Sequence, residues 1–412
     1  MLQYILWGIS FITVWFTLIW INYIYREPDR KELKEYPTVT VCVPAYNEEK
    51  AIEKTLNSIL KLDYPIEKLR IIVANDGSKD KTSEVVEEFK KNTTANIILL
   101  NKENGGKSSA MNSALELANA DYFAVIDADT KLENKSLMLS LSRFTSKKVA
   151  AVIGRVKVDA PQNTLQKMQN FEYIMSSLIR NIMANFGTLA ITPGGAFSIY
   201  RTEVLRNVGG FCKDRNNLTE DLEIALRLKK HKYIVEMEPE SVTHTIAPAT
   251  FKALWRQRVR WTRGYVHNHW LYRHLFFSGR HGLFGLFQMP VNVIVVILLL
   301  LNLTIVTISS GHDLYKFISR SFTIKGYLLN RLIEWPTMKE FFLARNFQIS
   351  IPLILSAILV GYLVYVAHRE FKEPLRKHLK YVAIYFIIIP YFTFANWTAS
   401  IGLELRRAKR KW

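Results

Sequence analysis

Two short acidic motifs hold the side chains best suited to chemistry. Asp127 ends the apolar run 122–127, and Asp129 follows it after one alanine. Alternating carboxylates at a strand end place two hard oxygen ligands where Mg²⁺ or Mn²⁺ could bridge a diphosphate. Average composition yields about one such spacing by chance in a chain of this length. The position after a buried strand is therefore what favours a metal-assisted phosphate site.

The second acidic motif begins at Thr219 and opens a helical pattern over 220–230. Thr219 could simply cap that helix, whose first turn suits acidic residues. The functional alternative makes Asp221 a general base. Upstream, Gly194 and Gly195 would let a bulky chain approach the backbone closely.

Polar groups also follow two earlier apolar runs. Proline cannot continue a central strand, so the segment 43–48 should end the first strand at Pro44 and place its polar groups at the sheet edge. A base or ribose could bind there, although an ordinary strand-to-helix turn explains the segment equally well. Asp76, beside Gly77, could bind a nucleotide, but taken alone it better suits the cap of a helix starting near Lys79.

Paired glycines at 105–106 and then Lys107 precede another helical segment. Backbone N–H groups at a helix N-terminus form an anion site, and a lysine adds a point charge. A plain helix-initiating turn is the alternative, and the spacing is not that of a nucleotide-binding P-loop.

A basic and aromatic motif, QRVRW, occupies residues 257–261. On a helix, Gln257, Arg260 and Trp261 would share one face. The planar guanidinium group of arginine can bind a diphosphate leaving group through two N–H donors, and an indole ring can pack against the flat face of a sugar. An aromatic and basic belt at a membrane interface is the competing interpretation.

The elements that must position these motifs alternate between apolar runs and helical patterns over residues 38–240. The apolar runs lie at 38–43, 69–74, 96–100, 122–127 and 150–154. The helical patterns lie at 49–61, 80–91 and 107–118. This alternation predicts an α/β domain with a largely parallel sheet, in which ligands bind beyond the carboxyl ends of the strands.

Apolar segments flank this domain on both sides. Residues 4–25 carry no charge and are long enough to cross the roughly 30 Å hydrocarbon core. The segment lacks the basic start and small-residue cleavage site of a signal peptide, so we interpret 1–25 as an uncleaved anchor. Basic residues follow it, at 26, 30, 31 and 34. The positive-inside bias therefore predicts that the α/β domain is cytoplasmic.

The C-terminal part divides into an interfacial segment, 241–282, and a membrane region, 283–412. The first is rich in aromatic and basic residues, as helices in a membrane interface are. The second contains three apolar segments, at 283–308, 347–367 and 381–400, with a mixed loop at 309–346. If all three cross, the basic tail lies outside, against the positive-inside rule. A re-entrant segment or a further crossing within 309–346 would restore the balance.

Composition supports the membrane interpretation over nucleic-acid binding. The 412 residues carry a formal net charge of +19, and much of the excess lies beside apolar segments, as at 406–411. No zinc spacing, RNA-binding aromatic motif or basic heptad helix is present. The two cysteines, Cys42 and Cys212, are far apart and suit reduced core positions.

Taken in order, these motifs resemble those of the processive family-2 glycosyltransferases, which include cellulose, chitin, hyaluronan and poly-N-acetylglucosamine synthases. The matching set is Asp76, the DxD motif at 127–129, the TED motif at 219–221 and QRVRW at 257–261. Within that family, ITPGGAFSIYR and TEDLEIALRLKK look most like the bacterial biofilm poly-β-1,6-N-acetyl-D-glucosamine synthases. The resemblance implies a GT-A fold combined with transmembrane and interfacial helices.

The resemblance also implies a role for each matching residue. The uridine would be held by Pro44, Ala45, Tyr46, Asn47, Glu48 and Asp76. Lys107 and Asp127 would approach the donor phosphates and sugar, and Asp129 would hold the metal. The acceptor would be bordered by Gly194, Gly195 and Glu220, with Asp221 as the base. The residues that would close over the diphosphate and the acceptor terminus are Gln257, Arg258, Arg260 and Trp261.

The activity implied is processive, inverting polymerisation of N-acetylglucosamine from UDP-N-acetylglucosamine, with Mg²⁺ or Mn²⁺ as cofactor. The product would be a β-linked exopolysaccharide exported through the membrane for biofilm formation. The partners would be the growing polysaccharide, membrane lipid and a small membrane accessory subunit, but no nucleic acid. A chitin or hyaluronan synthase, a non-processive lipid-linked glycosyltransferase and a non-catalytic membrane nucleotide-binding regulator remain as alternatives.

Overall fold

The computed structural model describes residues 2–27, 29–190, 196–333, 347–406 and 408. An eight-stranded sheet forms the centre of the α/β domain. Its strands, in chain order, are β1 (Val39–Ala45), β2 (Leu69–Asn75), β3 (Ile97–Asn101), β4 (Tyr122–Val125), β5 (Lys131–Leu132), β6 (Val149–Val158), β7 (Ser198–Arg201) and β8 (Ile234–Thr245). Their spatial order is β3-β2-β1-β4-β7-β6-β8-β5.

Helices cover both faces of this sheet and continue beyond it. Before the sheet comes α1 (Leu2–Ile21). In the α/β domain the helices are α2 (Ile52–Leu60), α3 (Thr82–Lys91), α4 (Lys107–Glu116), α5 (Ser136–Ser142), α6 (Thr164–Asn185), α7 (Thr202–Asn207) and α8 (Glu220–Lys230). After β8 come α9 (Phe251–Leu271), α10 (Met289–Thr323), α11 (Tyr327–Ile333), α12 (Phe347–Glu370) and α13 (Leu375–Leu405).

Four neighbouring strands bring the predicted motifs to one edge. β1 pairs in parallel with both β2 and β4, and β2 pairs in parallel with β3. Every residue of β1 is buried, because apolar clusters cover both faces of the sheet. Parallel strands buried on both faces are apolar throughout rather than alternating, which is why their sequences are apolar runs. Their carboxyl ends therefore meet at a single edge.

The predicted α/β class with a mostly parallel sheet is confirmed. The prediction did not include β5, β7 and β8; β5 and β7 pair antiparallel to their neighbours. The helix expected at 220–230 forms over Glu220–Lys230. The strand end expected at Pro44 was wrong, because β1 continues through Ala45 with Pro44 opposite Ala74.

Two helices of the described chain are long and apolar enough to cross a membrane, Phe284–Thr323 and Leu375–Leu405. The first combines a π-helical turn, Phe284–Gln288, with α10. The loop expected from residue 309 is instead helical as far as Thr323 and again in α11, and 334–346 lies outside the described residues. In α1 the described apolar stretch, Ser10–Ile21, is shorter than a crossing. The long apolar helices support membrane association.

Candidate active site

Asp76 lies directly beyond β2 and fixes the paired-glycine loop. Its buried carboxylate accepts hydrogen bonds from the backbone N–H of Gly105 at 2.8 Å and of Gly106 at 2.7 Å, and from Lys102 Nζ at 2.8 Å. The expectation that Asp76 caps a helix was wrong, since α3 begins at Thr82. The two glycine N–H groups are also already bonded within the protein, rather than left for an anion. Uridine binding by Asp76 stays a prediction.

Lys107 joins two acidic motifs that are far apart in sequence. At the start of α4, its ammonium group is ion-paired with Asp127 and lies 3.5 Å from Glu220 Oε1. Burial alone would lower the pKa of Lys107, but the attraction of Asp127 and Glu220 outweighs it and raises the pKa. The other carboxylate oxygen of Glu220, Oε2, is buried with no hydrogen-bond partner among the described residues.

Asp129 and Glu48 add further negative charge at the same edge. Burial, together with the charge of Asp127, raises the pKa of Asp129 to about 6. Burial and the charges of Asp129 and Asp127 raise the pKa of Glu48 to about 7. Such shifts indicate carboxylates crowded into a site with too little positive charge.

A divalent cation fits this donor set. Among the described residues, no group of three or more His, Cys, Asp or Glu side chains forms a complete metal site. Mg²⁺ typically takes one or two protein carboxylates and completes its shell with substrate phosphates and water. Asp129, beside Asp127, meets that requirement, and an added cation would relieve the crowding of negative charge.

The turn after β1 is attached to the turn after β2. Asn47 adopts a left-handed backbone conformation (φ 57°), and its Oδ1 accepts from the backbone N–H of Lys79 at 2.8 Å. The backbone N–H of Glu48 donates to Thr82 Oγ1 at 2.8 Å. Tyr46 remains 46% exposed. This turn thus presents an aromatic ring and a carboxylate at the edge where the resemblance predicts uridine.

Asp221 lies in the first turn of α8, half-buried beside these charged groups. Burial, followed by the charge of Glu220, raises the pKa of Asp221 to about 6, while Lys107 and Arg260 act to lower it. A carboxylate with this pKa is ionised at neutral pH and still basic enough to accept a proton, as a general base requires. From α6, Arg180 also interacts electrostatically with Asp221.

The loop before Asp221 is clamped to α9 by residues that the sequence analysis missed. Asn268 is fully buried, and its Nδ2 donates to Asn217 Oδ1 at 3.1 Å, Thr219 O at 3.1 Å and Thr219 Oγ1 at 2.9 Å. Thr219 is the N-cap residue of α8, as the capping alternative predicted, but its side chain makes no capping hydrogen bond. One turn before Asn268, Gly264 leaves room for the Thr219 side chain. The only local signal is the i, i+4 spacing of Gly264 and Asn268.

The QRVRW motif divides its side chains between two environments. Arg260 donates to Leu218 O at 3.1 Å and acts electrostatically on Asp221. Arg258 makes a two-pronged ion pair with Glu172 of α6, at 3.0 Å for each N···O pair, and its guanidinium lies 4.4 Å from the Trp261 ring centre. Arg260 thus faces the acidic site, whereas Arg258 and Trp261 form a separate pair.

That pair borders a cavity of about 240 Å³ between α9 and α13. Four aromatic residues line it, namely Trp261, Tyr265, Phe392 and Trp397. Asn396 Oδ1 accepts from Thr262 Oγ1 at 2.8 Å, while its buried Nδ2 has no hydrogen-bond partner among the described residues. The cavity therefore offers flat rings together with an unused amide donor.

Most of the predicted site residues lie at this edge or on the adjoining face of α9. Gln257 is on α9 with its Oε1 buried and lacking a hydrogen-bond partner in the described structure. Gly194 and Gly195 lie in 191–195, outside the described residues. The roles assigned to the individual residues remain predictions.

Comparison with known proteins identifies the family. Residues 37–264, more than half of the chain, match the model of the glycosyltransferase-like family 2. A probable glycosyltransferase of Bacillus subtilis, YdaM, is 35% identical over 57% of this chain and 57% of its own length. A poly-beta-1,6-N-acetyl-D-glucosamine synthase of Staphylococcus epidermidis is 31% identical over 57% of this chain and 56% of its own length. The chain thus matches little more than half the length of these relatives.

A solved structure shares the fold over most of the chain. The mannosyltransferase PcManGT from Pyrobaculum calidifontis, in complex with GDP-Man and Mn²⁺, aligns with a TM-score of 0.61 over 90% of this chain and 99% of its own. At 20% identity this similarity concerns the fold alone. It agrees with the expected GT-A architecture. The chain therefore belongs to the family-2 glycosyltransferases and is a transferase with a GT-A-type catalytic domain.

Proposed function

We propose that this transferase polymerises N-acetylglucosamine from UDP-N-acetylglucosamine into a β-linked polysaccharide, with β-1,6 linkage, at the cytoplasmic side of a membrane. The observation that carries the proposal is the pair of contacts made by Lys107. Its ammonium group is ion-paired with Asp127 of the DxD motif and lies near Glu220, the neighbour of Asp221 in the TED motif. The name of the staphylococcal relatives supports the choice of sugar and linkage.

Asp221 is the proposed base. It removes the proton from the acceptor hydroxyl, whose oxygen forms a bond to C1 of the donor sugar as the bond from C1 to the UDP oxygen breaks. Attack from the face opposite the leaving group converts an α-linked donor into a β linkage. The proton remains on the carboxylate, whose pKa of about 6 allows it to return to water near neutral pH.

Positive groups of the chain stabilise the departing UDP. Lys107 and Arg260 lie closest to the acidic motifs and supply positive charge where negative charge develops. A divalent cation held by Asp129 and Asp127 would add Lewis-acid neutralisation of the diphosphate when bound. Glu220, with one free buried oxygen, is suited to accept a hydrogen bond from a sugar hydroxyl.

A processive enzyme must keep the product bound after each transfer. Trp261, whose ring lies against the guanidinium of Arg258, lines the aromatic cavity. Aromatic rings bind the apolar faces of pyranose sugars, and the free amide hydrogen of Asn396 suits an acetamido oxygen or hydroxyl. The growing chain would therefore leave the acidic site along α9, toward the membrane helices, for export into a biofilm matrix.

The proposal is tested by incubating the purified, lipid-reconstituted protein with UDP-N-acetylglucosamine and Mg²⁺, and measuring UDP release and polymer. Polymer from this donor alone is expected. Polymer only from another UDP-sugar would overturn the substrate, and a requirement for a second, uronic acid donor would indicate a hyaluronan-type synthase. UDP binding without transfer from any donor, with or without membrane extract, would instead favour a nucleotide-binding regulator.

A further inference from the structure

The last apolar helix, α13, has the length and composition of a membrane crossing, yet its N-terminal end is held by the catalytic domain. The turn before α13 docks on β6. Arg155 donates to the carbonyl of Phe371 at 3.2 Å and lies over that ring at 4.7 Å. Lys157 forms an ion pair with Glu373 at 2.7 Å. The chain therefore enters α13 at the level of the catalytic sheet.

The C-terminal end of α13 is held by α9 of the interfacial segment. Arg263 of α9 is buried, and it donates to Glu404 at 2.6 Å and to the carbonyl of Ala408 at 2.5 Å. Residues 251–271 of α9 include five basic side chains, at 252, 256, 258, 260 and 263. A helix with this much charge is very costly in hydrocarbon, so α9 lies outside the membrane core. The end of α13 that it binds must lie there too.

Contacts along the middle of α13 follow the same surface. Tyr385 packs edge-on against Phe171 of α6 at 5.0 Å between ring centres. Farther along, Phe392 packs against Trp255 of α9 at 5.6 Å. Asn396 is then bonded to Thr262, as described above. The helix thus lies against α6 and α9 over its whole length.

The opposite face of α13 is apolar and exposed. Leu379, Ile387, Tyr391 and Leu405 are each more than half exposed. At about 1.5 Å per residue, the helix is longer than the roughly 30 Å hydrocarbon core, so a crossing would separate its ends by the full membrane. Instead, the turn before its first residue contacts Arg155 and Lys157 of β6, and its last turn contacts Arg263 of α9.

We propose that α13 does not cross the membrane. It lies in the plane of the interface on the catalytic side, with α6 and α9 above it and lipid against its exposed face. The inference rests on the proposed membrane location of the enzyme. In this position α13 contributes Asn396 and Trp397 to the wall of the aromatic cavity.

The remaining helices give a consistent count of crossings. α1 and α12 both reach the catalytic domain by their C-terminal ends, where Ile24 and Val366 share an apolar cluster with Ile174 of α6. α10 leaves the domain by its N-terminal end, where Phe284 and Met289 are buried. If the predicted anchor at 4–25 and the apolar segment at 347–367 cross the membrane together with α10, these three crossings leave α13 on the side of the catalytic domain. The basic tail then lies on the same side as Arg26 and Arg30, as the positive-inside rule requires.

Single cysteines in the full-length protein test this topology in cells. In a Cys212→Ser background, with Cys42 buried, Leu405→Cys reports the end of α13. Glu88→Cys reports the catalytic domain and Phe322→Cys, at a residue that is 90% exposed, reports the far end of α10. With a membrane-impermeant maleimide, Leu405→Cys should behave as Glu88→Cys, reacting on the side opposite to Phe322→Cys.

The outcomes separate the two proposals. If Leu405→Cys reacts on the side of Phe322→Cys, α13 crosses and the inference is overturned while the membrane location stands. If all three sites react on one side, α10 does not cross, and the membrane location on which the inference rests is overturned. As a second measurement, spin labels at Leu379, Ile387 and Leu405 in reconstituted protein should report the same shallow depth. A deep central label with the two end labels at opposite surfaces would also overturn the inference.

Discussion

Gly264 provides a direct test of how α9 positions the catalytic loop. A Cβ atom added at Gly264 would lie 2.3 Å from Thr219 Oγ1, 2.6 Å from its Cγ2 and 2.9 Å from its Cβ. Ordinary carbon contacts are about 3.5–4.0 Å, so the overlap is about 1 Å or more. Thr219 is also held by Asn268, so rotating its side chain away would break a buried hydrogen bond.

The expected effect of Gly264→Ala is on turnover. The loop carrying Asp221 should shift by about 1 Å, a misplacement that costs on the order of 100-fold in rate. Overpacking at a buried site also costs about 1–3 kcal/mol of stability. The KM for UDP-N-acetylglucosamine should change little, because the predicted donor residues at Lys107 and Asp129 lie on other elements.

The assay is UDP release by reconstituted protein, with kcat and KM measured together and thermal unfolding measured in parallel. Gly361→Ala is the matched control, because a Cβ at Gly361 meets no atom within 4 Å, and it should leave kcat unchanged. A folded Gly264→Ala protein with a kcat close to that of wild type would show that the packing of α9 on Thr219 does not position Asp221. A selective rise in KM would assign α9 to donor binding instead.

Three further results are expected. Asp221→Asn should abolish transfer while UDP binding, measured by calorimetry, persists; appreciable polymerisation by this variant would remove Asp221 as the base. Because the pKa of Asp221 is about 6 and the base acts ionised, kcat/KM should fall about tenfold per pH unit below pH 6; a flat profile down to pH 5 would contradict this. The pKa of Glu48 is raised by folding to about 7, so protonation favours the folded state, and metal-free protein should lose stability as pH rises through about 7. Between pH 6 and 7, thermal unfolding should show a smaller loss in Glu48→Gln than in wild type.

Sequence patterns predicted the strands and helices whose apolar residues recur at the spacing typical of the element. The buried parallel strands appear as apolar runs, and the helix at Glu220–Lys230 follows from its periodic pattern. The short strands β5 and β7 were missed because two to four residues leave no periodicity. In β8, Glu236, Glu238 and Glu240 interrupt the apolar pattern.

The sequence predicted which types of residue form the candidate site, but it did not predict most of the contacts between them. A DxD after a strand and an acid at a helix start both indicate chemistry, and Lys107 was singled out beside them. The clamp of Asn268 on Thr219 joins residues 49 positions apart and follows only from tertiary packing. Likewise, α13 has the composition of a crossing helix, and only its contacts with Arg155 and Arg263 indicate where it lies.

The most direct test of the account is the structure of the product. Polymer made by the reconstituted enzyme from UDP-N-acetylglucosamine and Mg²⁺ should be analysed by NMR for anomeric configuration and linkage. β anomers joined through O6 are expected. β-1,4 linkages would preserve inversion by Asp221 but assign the enzyme to the chitin-type synthases, whereas α anomers would contradict the proposed attack.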